Sequence, residues 1–111
     1  MAEDAAGANI EMDGAGLYLE ESITDRRVGS LQRLTPITSA GEPDATRPVI
    51  FVGQTQVLTP AGALPLSFEI EAGSLEEAVR QFGDHAQQAL KNTMERLEEM
   101  RRDQASSLIV H

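Results

Sequence analysis

Histidines are the side chains of this sequence best suited to acid–base chemistry, and the chain has only two, His85 and His111. Asp84 precedes His85 within a predicted helix. Successive residues of a helix point about 100° apart, so these two side chains cannot form a catalytic dyad there. His111 is the last residue of the sequence. We therefore predict that neither histidine acts as a general base.

Metal ligands and nucleophiles are equally sparse. The sequence has no cysteine and no HxxxH pair. Glu69 and Glu71 share the polar face of a predicted strand, where two carboxylates could bind a cation but more often face water. No serine has the flanking glycines of a hydrolase nucleophile, and Gly53-Gln54-Thr55 lacks the lysine of a phosphate-binding loop. The sequence thus predicts a protein that is not an enzyme, with no catalytic residue, no cofactor and no metal.

Composition narrows the remaining functional classes of protein to which this chain could belong. The chain has 111 residues, 18 of them acidic and 9 basic, and a formal net charge of −9. One domain is expected at this length, and the acidic surface disfavours nucleic acid as a partner. No stretch approaches the roughly 18 consecutive apolar residues of a membrane span, and residues 1–14 lack the pattern of a signal peptide. We expect a cytoplasmic protein, with which the absence of cysteine is compatible.

Acidic residues are concentrated towards the N-terminus. Residues 1–25 contain seven acidic side chains and no basic one. Residues 1–14 also contain too few large apolar side chains to offset the entropy lost on ordering. We predict a disordered acidic arm at 1–14, for which a docking role is the alternative, a single domain at 15–105 and an apolar C-terminal tail at 106–111.

Four segments have the pattern of β-strands, and we predict that they form an antiparallel sheet, with strands at 16–22, 27–37, 48–58 and 63–71. The last two form the clearest hairpin. Thr59-Pro60-Ala61-Gly62 is typical of the turn between them, because proline presets one φ angle and glycine accepts a positive one. Apolar and polar residues alternate in the last strand, so one face carries Leu64, Leu66, Phe68 and Ile70. Pro65 cannot donate a ladder hydrogen bond, which places this strand at an edge or at a bulge.

A long amphipathic helix is predicted after the sheet. Ser74 and Glu77 have the spacing of a capping box, in which each side chain accepts a hydrogen bond from an otherwise unpaired N–H of the first turn. Gly83 is the weak point of the helix, costing about 1 kcal/mol relative to alanine. We predict a helix that ends within Asp103–Ala105. Its apolar residues recur every three or four positions, at Leu75, Val79, Phe82, Ala86, Leu90, Met94, Leu97 and Met100.

This helix is too long for the sheet beside it. It would measure about 45 Å, whereas strands of 6–10 residues measure about 20–33 Å. We expect the first half of the helix to form the core with the apolar face of the last strand, through Leu75, Val79, Phe82 and Ala86. The distal half needs another partner. Either the helix breaks at Gly83 or near Asn92 and folds back, or it packs against a second copy of the chain.

Self-association is the prediction we favour for the distal helix and the C-terminal tail. For the tail, the alternatives are a fifth strand, docking into a groove of another copy or another protein, and a frayed end. Residues 91–103 carry four acidic and four basic side chains, which suits either an antiparallel helix pair or a solvated surface. The predicted interface residues are Leu90, Met94, Leu97, Met100, Leu108, Ile109 and Val110.

The sequence therefore predicts a small acidic α+β protein with an antiparallel sheet of about four strands and one long helix packed on one face. We expect it to form a homodimer through that helix and to serve as an interaction or scaffolding module. Another protein is a further candidate partner, whereas we expect neither nucleic acid nor a membrane to be a partner. The alternative is a small-ligand-binding or regulatory domain that uses the cleft between sheet and helix.

Overall fold

The structure, a computed structural model, describes the backbone of residues 10–110 and the side chains of residues 10–103. Its elements are β1 (Tyr18–Thr24), β2 (Gly29–Pro36), β3 (Ile50–Thr59), β4 (Gly62–Ile70) and α1 (Leu75–Val110). The predicted class, an α+β fold with a four-stranded antiparallel sheet and one long C-terminal helix, is confirmed. Every strand begins and ends within two residues of its predicted position.

The sheet is an antiparallel meander in the order β1-β2-β3-β4. Cross-strand partners share a face, and this fixes which side chains can meet α1. Ile23 pairs with Leu31, Leu31 with Gly53, and Gly53 with Phe68, so these four residues form one row across the sheet. Leu31 and Phe68 contribute to the core beneath α1. The helix therefore packs on the face that carries this row.

The turn between β3 and β4 has the predicted chemistry. Gly62 adopts a φ of 120°, a conformation that favours glycine. The Thr59 hydroxyl donates to the Gly62 carbonyl at 2.7 Å and accepts from the Ala61 N–H at 3.2 Å. Strand β4 lies at the sheet edge, as the proline at position 65 predicts, and Pro65 is exposed there.

The start of α1 is capped by side chains. The Glu77 N–H donates to the Ser74 hydroxyl oxygen at 3.2 Å, as predicted. The Glu77 carboxylate accepts from the Gly73 N–H at 2.8 Å, one residue before the expected donor. The first bond satisfies an N–H of the first helical turn, and the second ties the residue before the N-cap back to that turn, so together they define where the helix begins.

The buried core lies between α1 and the sheet, and it is formed by Leu31, Phe51, Ile70 and Ala78. The rings of Phe68 and Phe82 meet edge to face beside it, with centroids 5.1 Å apart and planes at 67°. This is a favoured aromatic geometry, and it joins β4 to the helix.

Val79 lies outside this core, which corrects one prediction. Its side chain is 56% exposed, whereas Ala78 is completely buried. The small Ala78 lets the helix backbone approach the sheet closely, and the next residue then points about 100° away from the contact. Leu75 and Phe82 do pack against the core as expected, and Ala86 is half-buried.

Helix α1 continues without a break for 36 residues, about 54 Å at 1.5 Å per residue. The alternative in which it breaks at Gly83 or near Asn92 is wrong, because helical backbone continues through both positions. The helix also passes the predicted end at Asp103–Ala105, so residues 106–110 are helical and do not form a fifth strand. No glycine or proline follows Gly83, so the sequence holds no strong stop signal.

Two glycine substitutions test the packing and the helix together. We expect Gly53→Ala to lower the free energy of unfolding by about 1–3 kcal/mol, because a Cβ at this position would overlap the Phe68 ring. Gly83→Ala is the matched control: its Cβ would meet no atom within 4 Å, and alanine in a helix stabilises by up to about 1 kcal/mol. Urea unfolding measures both, and an unchanged stability for Gly53→Ala would contradict the packing.

Candidate interaction surface

The residues considered for catalysis are scattered in the structure. His85 is half-buried within α1, with Nδ1 3.0 Å from the Gln81 carbonyl oxygen. Glu69 and Glu71 are both exposed; Glu69 is the second-last residue of β4, and Glu71 follows the strand. Among the residues that the structure describes, no group of three or more His, Asp or Glu side chains could hold a metal ion. His111 lies outside the described residues.

Four of the predicted interface residues form a stripe on the second half of α1, here called the distal stripe. They are Leu90, Met94, Leu97 and Met100. Met94, Leu97 and Met100 are 48%, 44% and 54% exposed, and Leu90 is half-buried. The side chains of Leu108, Ile109 and Val110 lie outside the described residues. Large apolar side chains at helical spacing with this much exposure form a surface suited to a second helix.

The distal stripe lies on the flank of α1 that begins at Val79. Val79 and Leu97 are separated by five turns of helix at about 3.6 residues per turn, so their side chains leave the helix in the same direction. Ala78, the residue that faces the sheet, points about 100° away from that direction. The exposed flank therefore runs beside the sheet-facing side and continues past the end of the sheet.

Between this flank and the first hairpin lies a crevice of about 370 Å³. Its apolar walls are Ile23, Val28 and Leu31 on the sheet side and Val79, Phe82 and Gly83 on the helix side. Val28 is 60% exposed, and a Cβ at Gly83 would meet no neighbouring atom. The crevice exists because α1 packs mainly on β3 and β4. Neighbouring strands lie about 4.8 Å apart, so a helix about 10 Å wide spans about two strands and leaves the β1–β2 hairpin partly open.

The turn at residues 25–28 presents Val28 to the crevice. One Asp25 carboxylate oxygen accepts the N–H groups of Arg27 and Val28, both at 2.9 Å, and that of Gly29 at 3.4 Å. Arg26 adopts a φ of 60°, so these hydrogen bonds hold a left-handed residue in place. The backbone donors, Val28 first and Arg27 second, lower the pKa of Asp25 below its ordinary value.

Two polar side chains at the crevice rim, Thr24 and Asp25, are already engaged. Asp25 holds the turn, and the Thr24 hydroxyl donates to the Gly29 carbonyl at 2.8 Å and accepts from the Arg26 N–H at 2.9 Å. A small-molecule site normally combines an apolar pocket with a few polar groups that orient the ligand. Because these rim groups are used by the turn itself, the crevice favours an apolar occupant.

Other charged groups have structural partners. Arg33 and Glu21 form an ion pair at 2.9 Å across β1 and β2. Arg47 donates to the carbonyls of Leu17 and Ile37, both at 2.9 Å, and pairs with Asp44 at 3.1 Å. Arg47 thereby fastens the loop before β3 to the start of β1, so it has an architectural role.

No protein-family model matches this chain, and no curated protein or solved structure shows significant similarity to it. Within the residues that the structure describes, no helix is long and apolar enough to cross a membrane.

The sequence did not identify the crevice. Val79 was expected in the core, and Val28 had no assigned partner. The available signal was the series of small residues Ala78, Ala86 and Ala89, which allow close helix–sheet approach and could have placed Val79 on a flank. The direction of that flank depends on which strands the helix crosses, which helix periodicity does not specify.

Asp25 makes the turn sensitive to acid. Its lowered pKa in the folded state means that its stabilising contribution is present above the pKa of the unfolded chain and is lost as the pH falls through the folded pKa. We expect Asp25→Ala to be less stable than the unaltered protein at neutral pH, with the difference disappearing in acid. Urea unfolding across a pH series measures this difference, and Asp25→Asn, which keeps an acceptor oxygen, is the control. A difference that does not change with pH would contradict this role.

Proposed function

We propose that this protein is a non-enzymatic interaction module that self-associates through the distal stripe of α1. The observation that carries the proposal is the exposure of Met94, Leu97 and Met100 on a helix that extends beyond its own sheet. The radius of gyration of 19.0 Å compares with about 13 Å for a compact chain of this length, which reflects the same extension. A second copy that covers this stripe removes the apolar surface from water.

A second copy suits the surface because the helix is complementary to itself. Leu90, Met94, Leu97 and Arg101 follow one another at steps of four, three and four residues, the spacing of coiled-coil core positions. In an antiparallel pair centred between Met94 and Leu97, each of these residues faces the other across the pair. Leu90 then faces Arg101, whose aliphatic stem can cover it while the guanidinium reaches water.

Charge supports the same register. Lys91 and Glu98 are one heptad apart and lie on the same edge of the core. In the antiparallel pair, Lys91 of each copy faces Glu98 of the other, so twofold symmetry produces the ion pair twice. The two copies use identical surfaces, as the commonest kind of oligomer does.

The proposed scaffolding role is argued from the exposed apolar surface of α1 and not from any catalytic or ligand-binding group. A dimer built this way has the two sheets at opposite ends of the helix pair, with their outer faces available to other proteins. We therefore propose a scaffolding role in the cytoplasm, a setting with which a sequence without cysteine is compatible. The alternative, a small-ligand-binding domain, draws support from the volume of the crevice but not from Thr24 and Asp25 at its rim, which already form hydrogen bonds within the turn.

Substitution of the distal stripe tests self-association. We expect Leu97→Glu and Met94→Glu each to raise the dimer dissociation constant by about a hundredfold, because each buries a carboxylate in an apolar interface twice per dimer. Sedimentation velocity over a concentration series measures the constant, and far-ultraviolet circular dichroism verifies the fold. Leu58→Glu is the matched control, since Leu58 is 86% exposed and, by strand alternation from Gly53, lies on the face of β3 opposite α1. An unaltered protein that stays monomeric at high concentration would overturn the proposal.

Charge exchange tests the antiparallel register. We expect Lys91→Glu and Glu98→Lys each to weaken the dimer by about tenfold at low salt, because each turns two attractive pairs into repulsive ones. The double variant restores both pairs with reversed polarity and should recover most of the affinity. Sedimentation at low and high salt provides the measurement. Additive losses in the double variant would show that the two residues do not face each other.

A further inference from the structure

The crevice and the distal stripe are parts of one surface. Val79 forms a wall of the crevice, and Leu97 lies five turns further along the same line of α1. A helix that packs along the distal stripe and continues straight therefore reaches the crevice. This inference rests on the proposed self-association and concerns what fills the crevice in the dimer.

The antiparallel register identifies the part of the second copy that would lie at the crevice. Leu90 faces Arg101 in that register. One heptad further out on each helix, Gly83 faces position 108, which is a leucine. The helical backbone continues to Val110, so the second copy's helix is long enough to reach this point.

We propose that the crevice is the docking site for the C-terminal helical segment of a second copy, residues 104–110, with position 108 of that helix opposite Gly83. The segment is uncharged and its last residues are apolar, as an occupant of an apolar crevice should be. Residues 108–110 are Leu, Ile and Val, and residues 104–110 carry no charged side chain. The crevice walls are largely apolar, and the Thr24 and Asp25 side chains at the rim form hydrogen bonds within the turn. Glycine at position 83 leaves room for a large apolar side chain.

Docking of this segment completes the cover of the sheet. The chain's own helix packs on β3 and β4, and the second copy's helix end would lie beside it over the β1–β2 hairpin. Val28 and Val79, both more than half exposed, would become buried twice in the symmetric dimer. The apolar crevice and the apolar residues 108–110 of the sequence would then cover each other.

Disulfide cross-linking tests the docking directly, because the chain has no cysteine of its own. We expect the full-length double variant Gly83→Cys/Leu108→Cys to form a covalent dimer on mild oxidation, seen by non-reducing electrophoresis. A bond within one chain is excluded, since both positions lie on one continuous helix, where their separation is about 37 Å at 1.5 Å per residue, and a disulfide needs Cα atoms within about 7 Å.

Two kinds of control define the register. Each single cysteine variant should stay monomeric on the gel, because an antiparallel pair holds identical positions far apart; a parallel pair would cross-link both. Asp84→Cys/Leu108→Cys is the neighbouring control, since residue 84 points about 100° away from residue 83. If this control cross-linked as efficiently as Gly83→Cys/Leu108→Cys, the disulfide would not be evidence for a specific contact between positions 83 and 108.

Val28→Glu tests the sheet side of the crevice. We expect it to raise the dissociation constant by about tenfold, with Leu58→Glu again as the control. A dimer that persists by sedimentation without the 83–108 bond, and that is insensitive to Val28→Glu, would overturn the docking and leave self-association in place. A monomeric protein would overturn both. Binding of an apolar dye that Val28→Glu abolishes, with an unchanged dimer, would assign the crevice to a small molecule instead.

Discussion

A helix of 36 residues extends about 54 Å, whereas β3, the longest strand at ten residues, extends about 33 Å. The same helix is about 10 Å wide, which is less than the width of four hydrogen-bonded strands. Helix and sheet therefore cannot cover each other. Because the helix is longer than the sheet, the distal stripe is left exposed. Because the helix is narrower than the sheet, the β1–β2 hairpin is left partly open. Both uncovered surfaces follow from placing a single long element on a small sheet.

The contact at Ala78 determines which flank of the helix is exposed. Its side chain is fully buried against the core that contains Phe51 and Ile70, and the Phe68–Phe82 ring contact fixes the next turn. Because α1 is continuous, the orientation set there is carried along the helix. Leu97 points as Val79 does, five turns later. Local packing beneath the first three turns thus aligns a surface that lies far from the sheet.

Local chemistry made most of the fold predictable. The Thr59–Gly62 turn and the Ser74–Glu77 cap each depend on a few adjacent side chains, and strand alternation is a property of one segment. The exposure of Val79 was not predictable in this way, since it depends on which residue approaches the sheet most closely. The helix end was misplaced because polar residues after Met100 weaken the apolar pattern without interrupting the backbone. The crevice depends on which strands the helix crosses, a tertiary property that no single segment carries.

Charge distribution favours an antiparallel pair over a parallel one. Residues 91–103 carry four acidic and four basic side chains, and residues 104–111 carry none, so the whole net charge of −9 lies in residues 1–90. A parallel pair would hold two such acidic bodies side by side, where like charges repel. An antiparallel pair places them at opposite ends of a neutral helical segment, separated by more than the Debye length of about 8 Å at physiological salt. The neutral segment is therefore where two copies can approach, and the acidic bodies direct that approach towards opposite polarity.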